Sequence, residues 1–345
     1  MSPTIRYLCL ILLLGYGPPA LAQAIRDCTV PADLPTSRPD PEGVPTEVSV
    51  SLYLIDLRKI DETEQAFDAD ILVRAGWRDP RLVDPLHSLA GCRVSVDSIW
   101  NPELVFLNER RISRRLEDVA FIDAEGAVLY PQRFQGTFSS RLSLQEFPFD
   151  RQSLRISILS RANSPERIRF SVDPSITLVS DQVSETEWTV RSLEGMVSPF
   201  EIQGTHGSFT IARIEFVVEV ARVTGFYLWK ALAPLTLIIF MAWSVFWISP
   251  GKLPAQIGVA TSAVFTLIAF QFSLGYLLPR LSYLTRADRF LLGSTVLVFT
   301  AFGEAILTGM LADSERLELA QRIDRHARWI YPLGFLIVVG WTAWA

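Results

Sequence analysis

The sequence is poor in the residues that build most catalytic and metal centres. Its 345 residues include three cysteines and three histidines, and His87, His206 and His326 are far apart along the chain. It has no cysteine–histidine spacing typical of a metal site, no glycine-rich phosphate loop and no nucleophile elbow. A catalytic site assembled only in three dimensions stays open, although no motif supports one. We therefore expect a protein that is not an enzyme and binds no metal or cofactor.

Basic residues are scattered rather than clustered on one face, and the charge balance changes along the chain. Residues 24–225 carry 22 Lys and Arg against 31 Asp and Glu, whereas residues 226–345 carry 9 against 6. An acidic segment with scattered basic residues binds phosphate backbones poorly, so no nucleic-acid partner is expected. The second segment is dominated by apolar runs. The composition therefore predicts two domains, one in water and one in lipid.

Residues 1–22 are typical of a secretory signal, because an apolar run precedes the small-residue pattern ALA at residues 20–22. A short membrane anchor is the alternative, but the run is too brief for a hydrocarbon layer about 30 Å thick. Removal of the signal takes Cys9 away and leaves Cys28 and Cys92. These two residues form either a disulfide or two separate thiols, since the sequence does not show their distance.

Alternating apolar residues characterise the region predicted to lie outside the membrane, residues 23–225. Valine and leucine occupy every second position over residues 48–54, and the same period recurs over residues 154–158 and 214–220. About ten such runs are separated by Pro, Gly, Asn and Asp turns. This pattern predicts an extracellular antiparallel β-sandwich of the immunoglobulin-like type.

Four apolar stretches make up most of the remaining domain, residues 226–345. Each approaches the roughly 20 residues that a helix needs to cross a bilayer. With the β-rich domain outside, the short linker 312–328 is cytoplasmic, and its four arginines agree with the positive-inside rule. The predicted spans are 226–248, 256–278, 290–311 and 329–345.

The second predicted span carries no formal charge. Helical steps of three and four residues place small, hydroxylated and aromatic residues on one face. A bundle of such helices would surround water, and close packing through small residues is the alternative. The stripe on the second span consists of Gly258, Ser262, Phe265, Ala269, Phe272 and Tyr276.

The third span contains one acidic residue within its apolar run, Glu304. This residue either bonds to a neighbouring helix or has a functional role.

Short motifs in a fixed order resemble those of the pentameric ligand-gated ion channels, the Cys-loop receptor superfamily. The resemblance covers essentially the whole mature chain. The segment YLWKALAPLTLIIFMAWSVFW and the later YPLGFL look most like the amine-gated bacterial members. The motifs are WNPE at 100–103, GTFSS at 136–140, FPFDRQ at 147–152, Arg222, Pro234 and LPR at 278–280.

The sequence departs from the animal receptors in two ways. The cysteines that bracket the FPFD loop in animal receptors would fall at Ser140 and Leu154, so that disulfide is missing, as in bacterial relatives. The linker before the last span is also short. The resemblance therefore implies a multi-pass protein of a bacterial inner membrane, with its N-terminal domain on the periplasmic side and membrane lipid around its helices.

The resemblance implies a homopentamer that binds a small agonist between neighbouring subunits, within aromatic rings suited to a cation or a planar ligand. Ordinary sandwich core is the alternative for each of these rings, above all for Trp77 and Phe106, and Glu103 would be a counter-charge for an amine. Protons, primary amines and small carboxylates remain open as agonists. The implied ligand-binding residues are Trp77, Trp100, Glu103, Phe106, Phe134, Phe200 and His206.

The resemblance also implies that the stripe on the second span lines the pore, with Phe265 and Phe272 as hydrophobic constrictions. At the cytoplasmic mouth, Pro254-Ala255-Gln256 resembles the Pro-Ala-Arg motif of anion-selective glycine receptors, with glutamine in place of arginine. Permeation by anions is therefore expected. The alternatives are a cation-selective channel, which the acidic outer domain would favour, and a membrane-anchored sensor that does not conduct.

The FPFD loop, residues 147–150, has two phenylalanines around a proline. Exposed apolar rings are unfavourable in water, so a core, a partner or a membrane is expected to cover them. The family resemblance places this loop at the base of the sandwich, where the rings wedge against the outer ends of the helices and Asp150 meets Arg222. Movement of the sandwich would reach the pore through this contact. The expected coupling residues are Phe147, Pro148, Phe149, Asp150, Arg222 and Pro279.

Overall fold

A computed structural model describes residues 26–31, 36–83, 89–161, 163–204, 207–274 and 282–344. The predicted signal lies outside these residues. Within them, a β-rich half is followed by a helical half. The strands are β1 Arg26–Asp27, β2 Thr46–Asp61, β3 Ala66–Arg78, β4 Cys92–Ser95, β5 Leu104–Phe106, β6 Glu109–Arg114, β7 Val119–Ile122, β8 Ala127–Ser139, β9 Arg151–Ser160, β10 Ile168–Val172, β11 Leu178–Val179, β12 Trp188–Val197, β13 Phe200–Gly204, β14 Gly207–Ile211 and β15 Arg213–Arg222.

Two sheets face each other to form the sandwich. The larger sheet has the order β1-β4-β7-β8-β3-β2-β10, with β11 paired to β2 and β6 paired to β8. The smaller sheet has the order β12-β15-β9-β5, and β13 and β14 form a separate hairpin.

The strand number and pairing differ from the prediction. The described residues contain fifteen strands rather than about ten. Most pairs are antiparallel, but β1 with β4, β10 with β2 and β11 with β2 are parallel. Alternation reports only which face a residue occupies, so it carries no information on strand direction and misses strands of two or three residues.

The sandwich core is built by the alternating residues that the sequence singles out. On β2, Val48, Val50, Leu52 and Leu54 are fully buried, while intervening positions are more exposed. Strands β9 and β15 bury the matching residues of their own runs in the same cluster. A strand places successive side chains on opposite faces, so apolar residues at every second position form one apolar face that packs in the core.

Cys28 and Cys92 form a disulfide with a sulfur–sulfur distance of 2.01 Å. The bond lies where β1 pairs with β4, with Arg26 opposite Cys92. It attaches the N-terminal segment of the described chain to the edge of the larger sheet. Of the two alternatives that the sequence leaves open, the structure selects the bonded pair.

Four long helices form the second half. Three of them, α1 to α3, are long and apolar enough to cross a membrane. They overlap the first three predicted spans, although residues 275–278 of the second lie outside the described residues. The helices are α1 Gly225–Trp247, α2 Leu253–Leu274, α3 Arg286–Asp313 and α4 Leu317–Trp344.

The predicted linker 312–328 is mostly helical, because α4 begins at Leu317. Its polar first turns still bury Ala320 and Asp324 against the neighbouring helices. The sequence interpretation took this polar segment for a connector because charged residues dominate it. Burial of one narrow stripe suffices to hold an amphipathic helix.

The helices pack through a shared apolar core that includes Ile239 of α1, Leu267 of α2, Ala301 of α3 and Tyr331 of α4. In α1 the turn Leu228–Leu232 is a π-helix. It ends just before Pro234, whose missing N–H removes one hydrogen bond from the helix, and π-turns commonly accommodate such a loss.

Candidate functional site

Arg222, the last residue of β15, lies at the junction of the two halves. Its Nε donates to Oδ1 of Asp150 at 2.7 Å, and its second guanidinium nitrogen donates to Oδ2 of Asp150 at 3.2 Å and to Oε1 of Glu62 at 2.8 Å. The side chains of Arg222 and Asp150 are each 1% exposed. Burial opposes the charge, but hydrogen bonds and Coulombic attraction from the two carboxylates raise the pKa of Arg222 above its ordinary value.

Three aromatic rings surround this guanidinium. Its central carbon lies 4.1 Å from the ring centroid of Trp188, 4.8 Å from that of Phe147 and 5.7 Å from that of Tyr227. Phe147 and Tyr227 also contact each other edge to face, at 4.8 Å between centroids. Cation–π attraction strengthens when the site is desolvated, so these rings hold the charge between β12, α1 and the FPFD loop.

The backbone of the FPFD loop is bonded directly to the start of α3. The amides of Arg286 and Ala287 donate to the carbonyls of Gln145 and Phe147 at 3.0 and 3.1 Å. Arg286 also pairs with Glu146 at 3.0 Å. The first amides of a helix have no partner within the helix, so the loop supplies acceptors that α3 lacks.

The chain just before α3 is also fixed. Thr285 and Asp288 form a reciprocal capping box, with the Asp288 amide donating to the threonine hydroxyl at 3.1 Å and the Thr285 amide donating to the aspartate at 2.9 Å. The hydroxyl of Tyr283 accepts from the Leu144 amide at 2.9 Å. The loop and the beginning of α3 therefore form one hydrogen-bonded unit.

The structure brings together Phe147, Asp150 and Arg222 from the expected coupling set. Pro148 and Phe147 line a small apolar cavity with α1, α2 and α3 residues. Phe149 is 45% exposed, so the covered ring of this loop is Phe147. Pro279 lies outside the described residues.

One face of α2 is uncovered within the subunit. Phe265 and Phe272 are 68% and 74% exposed, while Ala263 and Leu267 on the opposite face are fully buried in the helical core. No residue of α2 carries a charge. The other exposed members of the stripe are Gly258, Ser262 and Ala269, and Tyr276 lies outside the described residues.

The inner end of α2 differs from the expectation. Pro254 and Ala255 are exposed, but Gln256 is fully buried. Its Nε2 donates to the Ile248 carbonyl at 2.9 Å and approaches Oδ2 of Asp324 at 3.4 Å. The expectation that Gln256 presents its side chain at the pore mouth is therefore wrong for this structure, because a helical step of one residue turns it into the bundle.

Two rings of the expected ligand cage belong to the sandwich core. Trp77 and Trp100 are 4% and 8% exposed and contact each other edge to face, with centroids 5.9 Å apart. For Trp77, the structure selects the core alternative that the sequence leaves open. For Trp100, it likewise selects the core alternative over the ligand-facing ring, because the aromatic surface is already used for packing.

The remaining expected ligand residues are partly exposed but already have partners. Phe106 and Phe134 pack edge to face at 4.8 Å. Glu103 pairs with Arg161 at 3.0 Å, so its carboxylate is already balanced by a cation. The guanidinium of Arg213 lies 5.4 Å from the centroid of Phe200, on the hairpin β13–β14. His206 lies outside the described residues.

A polar network lies beside this aromatic pair. Phe106, Phe134 and Tyr130 line one small pocket. The Tyr130 hydroxyl donates to Asp118 at 2.5 Å, and Arg114 pairs with the same carboxylate at 2.7 Å. Burial, followed by the hydrogen bond to Asp118, raises the pKa of Tyr130 to about 12. The phenol therefore remains a neutral donor over the physiological pH range.

The comparisons with known proteins decide the family. The model of the neurotransmitter-gated ion-channel ligand-binding domain matches residues 34–224, more than half of the chain. The chain belongs to the neurotransmitter-gated ion-channel family. It is 26% identical over 332 residues to the proton-gated ion channel of Gloeobacter violaceus, covering 94% of this chain and 88% of that protein.

Similarity extends to animal members. The chain is 27% identical over 299 residues to glycine receptor subunit beta of Rattus norvegicus and of Homo sapiens, covering 82% of this chain. It spans 59% of the length of those receptor subunits. This neurotransmitter-gated family member is a ligand-gated ion channel rather than an enzyme, with an extracellular β-sandwich and membrane-spanning helices.

Several junction residues of this channel are missing from the sequence interpretation. Glu62, Trp188 and Tyr227 all contact Arg222 but come from three distant segments. The alternating pattern marks Glu62 only as a turn residue after β2. Tyr227 stands at the start of an apolar run, where an aromatic residue is already expected at the membrane–water interface. A buried arginine at a domain boundary does signal that carboxylates must lie nearby, although it does not say which.

Proposed function

We propose that this chain assembles into a homopentameric ligand-gated channel whose pore is lined by the exposed stripe of α2. The observation that carries the proposal is the contrast between the two faces of α2, one packed inside the subunit and one uncovered and without charge. Five copies around an axis would place the rings of Phe265 and Phe272 at successive levels of a shared path. In this assembly α4 is the fourth span, in a bacterial inner membrane.

The proposed route of opening runs through Arg222 and the FPFD loop. Ligand-driven movement of β15 carries Arg222, which is bonded to Asp150, and the neighbouring loop carbonyls are bonded to the start of α3. The short segment between α2 and α3 then transmits the movement to the pore helix. The ligand acts by favouring the open arrangement over the closed one.

We propose that the channel conducts anions. At the inner end of the exposed stripe, Lys252 is exposed immediately before α2, and α2 carries no acidic residue in its described length. A local positive charge lowers the energy of an anion at a narrow mouth. The acidic outer domain favours the alternative, a cation-selective channel, because it concentrates cations above the pore.

For the agonist, the contacts support protons over a primary amine. Trp77 and Trp100 are packed in the core, and Glu103 is paired with Arg161, so the expected cage offers neither free tryptophan faces nor a free counter-charge. One relative is named a proton-gated channel. Small carboxylates and amines are also applied as candidate agonists in the experiment below.

The test is current recording from purified full-length protein in planar bilayers. We expect a pH step, acidic or alkaline, to evoke current, and we expect the reversal potential to follow the chloride equilibrium when chloride is diluted on one side. Reversal that follows sodium would overturn the anion proposal, and current evoked only by a primary amine would overturn the proton proposal. Silence under every condition, with ligand binding intact, would support the non-conducting sensor.

A further inference from the structure

Two buried carboxyl groups lie inside the helical bundle, away from the exposed stripe of α2. Glu304 of α3 and Asp324 of α4 are close enough for each carboxyl group to act on the other. Asp324 is 1% exposed, and both carboxyl oxygens of Glu304 are buried. Neither group takes part in the coupling junction or in the uncovered face of α2.

The oxygens of this pair lack donors. Among the described residues, no N–H or O–H group reaches either carboxyl oxygen of Glu304 or Oδ1 of Asp324. The carbonyl oxygen of the fully buried Gln256 side chain is also without a partner. Buried polar atoms in native proteins are nearly always satisfied, so these acceptors indicate a missing donor.

The groups around the pair do not supply that donor. From α2, Gln256 reaches Asp324 through its Nε2, at 3.4 Å. From α3, the Thr308 hydroxyl acts on Asp324 but donates its proton to the Glu304 backbone carbonyl, at 3.0 Å. From α4, Arg328 is the cation that acts on Asp324, but its Nε donates to the Phe246 carbonyl at the end of α1. Among the described residues, the cation that acts on the pair is therefore one that is already bonded elsewhere.

Two ionised carboxylates in contact inside a protein repel each other and lose their hydration. A single proton between them removes one charge and supplies the hydrogen bond that both groups lack. We propose that Glu304 and Asp324 form a buried proton-binding site that holds one shared proton per subunit at neutral pH. The site joins α3 to α4 and, through Gln256, to the first turn of α2.

Loss of the shared proton would place two negative charges behind the first turn of the pore helix. Because Gln256 contacts Asp324, this change acts on α2 from inside the bundle rather than from the pore. A resulting pH dependence of the current rests on the proposed channel function. The proton itself does not, and it is measurable in protein that conducts nothing.

Infrared spectroscopy of the purified full-length protein at neutral pH tests the site. We expect the carbonyl stretch of a buried carboxylic acid, shifted in heavy water, at about one group per subunit. Glu304→Gln and Asp324→Asn should each abolish this signal, because either amide replaces the shared proton as the donor. Glu318→Gln, at an exposed position on the first turn of α4, should leave the signal unchanged.

Thermal unfolding provides a second measurement. The wild-type protein should lose stability as the pH rises and the proton leaves, whereas Glu304→Gln should lose less over the same range and Glu318→Gln should behave like the wild type. A spectrum without the acid signal, or one that Glu304→Gln does not alter, would overturn the proposal. Stability that depends on the added monovalent cation at constant pH, without an acid signal, would overturn it in favour of a bound cation.

Discussion

At the scale of single residues, Arg222 contacts more segments of the chain than the sequence interpretation predicted, which paired it with Asp150 alone. One guanidinium binds Asp150 and Glu62 and lies against Trp188 and Tyr227, so a strand, two loops and a helix meet at it. Removing one partner of a buried ion pair costs about 3–5 kcal/mol, because the remaining charge has lost its hydration. The same residue thus joins the two halves, and the proposed route of opening runs through it.

The first prediction concerns Asp150→Asn. The substitution removes the charge that accepts two hydrogen bonds from Arg222, so we expect destabilisation of about 3 kcal/mol or more, seen as earlier unfolding of the purified protein. Evoked current should be lost or need a stronger stimulus. Glu64→Gln breaks an exposed pair with Arg110 and should change stability by less than about 1 kcal/mol. Equal effects of the two substitutions would contradict the role of burial.

The composition of the loop indicated only that its rings need a cover, and the family resemblance implied the contact of Asp150 with Arg222 that the structure contains. Neither was sufficient for the aromatic ligand cage. Trp77 belongs to the core and Glu103 to an ion pair with Arg161. Residue type alone does not distinguish a tryptophan that packs from one that binds, since both use the same apolar surface.

At the scale of elements, α2 shows why a stripe predicts a face but not its role. Its exposed residues are those that the helical period selects, and the opposite face packs in the bundle. The period also explains the error at Gln256, which lies next to the exposed Ala255 but points inward. The polar first turns of α4 and the parallel strand pairs were missed for a related reason, because they depend on neighbours that are distant in sequence.

The second prediction concerns Phe265→Ser in α2. If this exposed ring is a hydrophobic constriction, a hydroxyl in its place should let water fill the path, so the channel should leak at rest or open at a weaker stimulus. Resting current through bilayers measures the effect. Phe270→Leu, on the same helix but packed against the core, should leave the resting current unchanged. Unaltered gating in Phe265→Ser would argue against a pore lined by this face.

At the scale of the whole molecule, one subunit cannot enclose a path, because the stripe of α2 is open on one side. Apolar side chains also project from other helices, with Leu237, Val296 and Leu336 each well exposed. Lipid suits these purely aliphatic surfaces, whereas the mixed stripe of Ser262 and the aromatic rings suits a shared interior. Closed rotational symmetry satisfies both surfaces at once.

The last prediction uses the disulfide to test this assembly. Because Cys28 and Cys92 are bonded to each other, Ser262→Cys adds a free thiol to the described part of the chain, on the exposed face of α2. A charged, water-soluble thiol reagent should modify it and reduce the current, and the mass of the intact complex should rise by five adducts. Ala263→Cys, one residue away and fully buried, should stay unmodified. Equal labelling of both positions, or saturation at one or two adducts per complex, would contradict a five-fold pore, because only a wetted path brings the reagent to the first position and not the second.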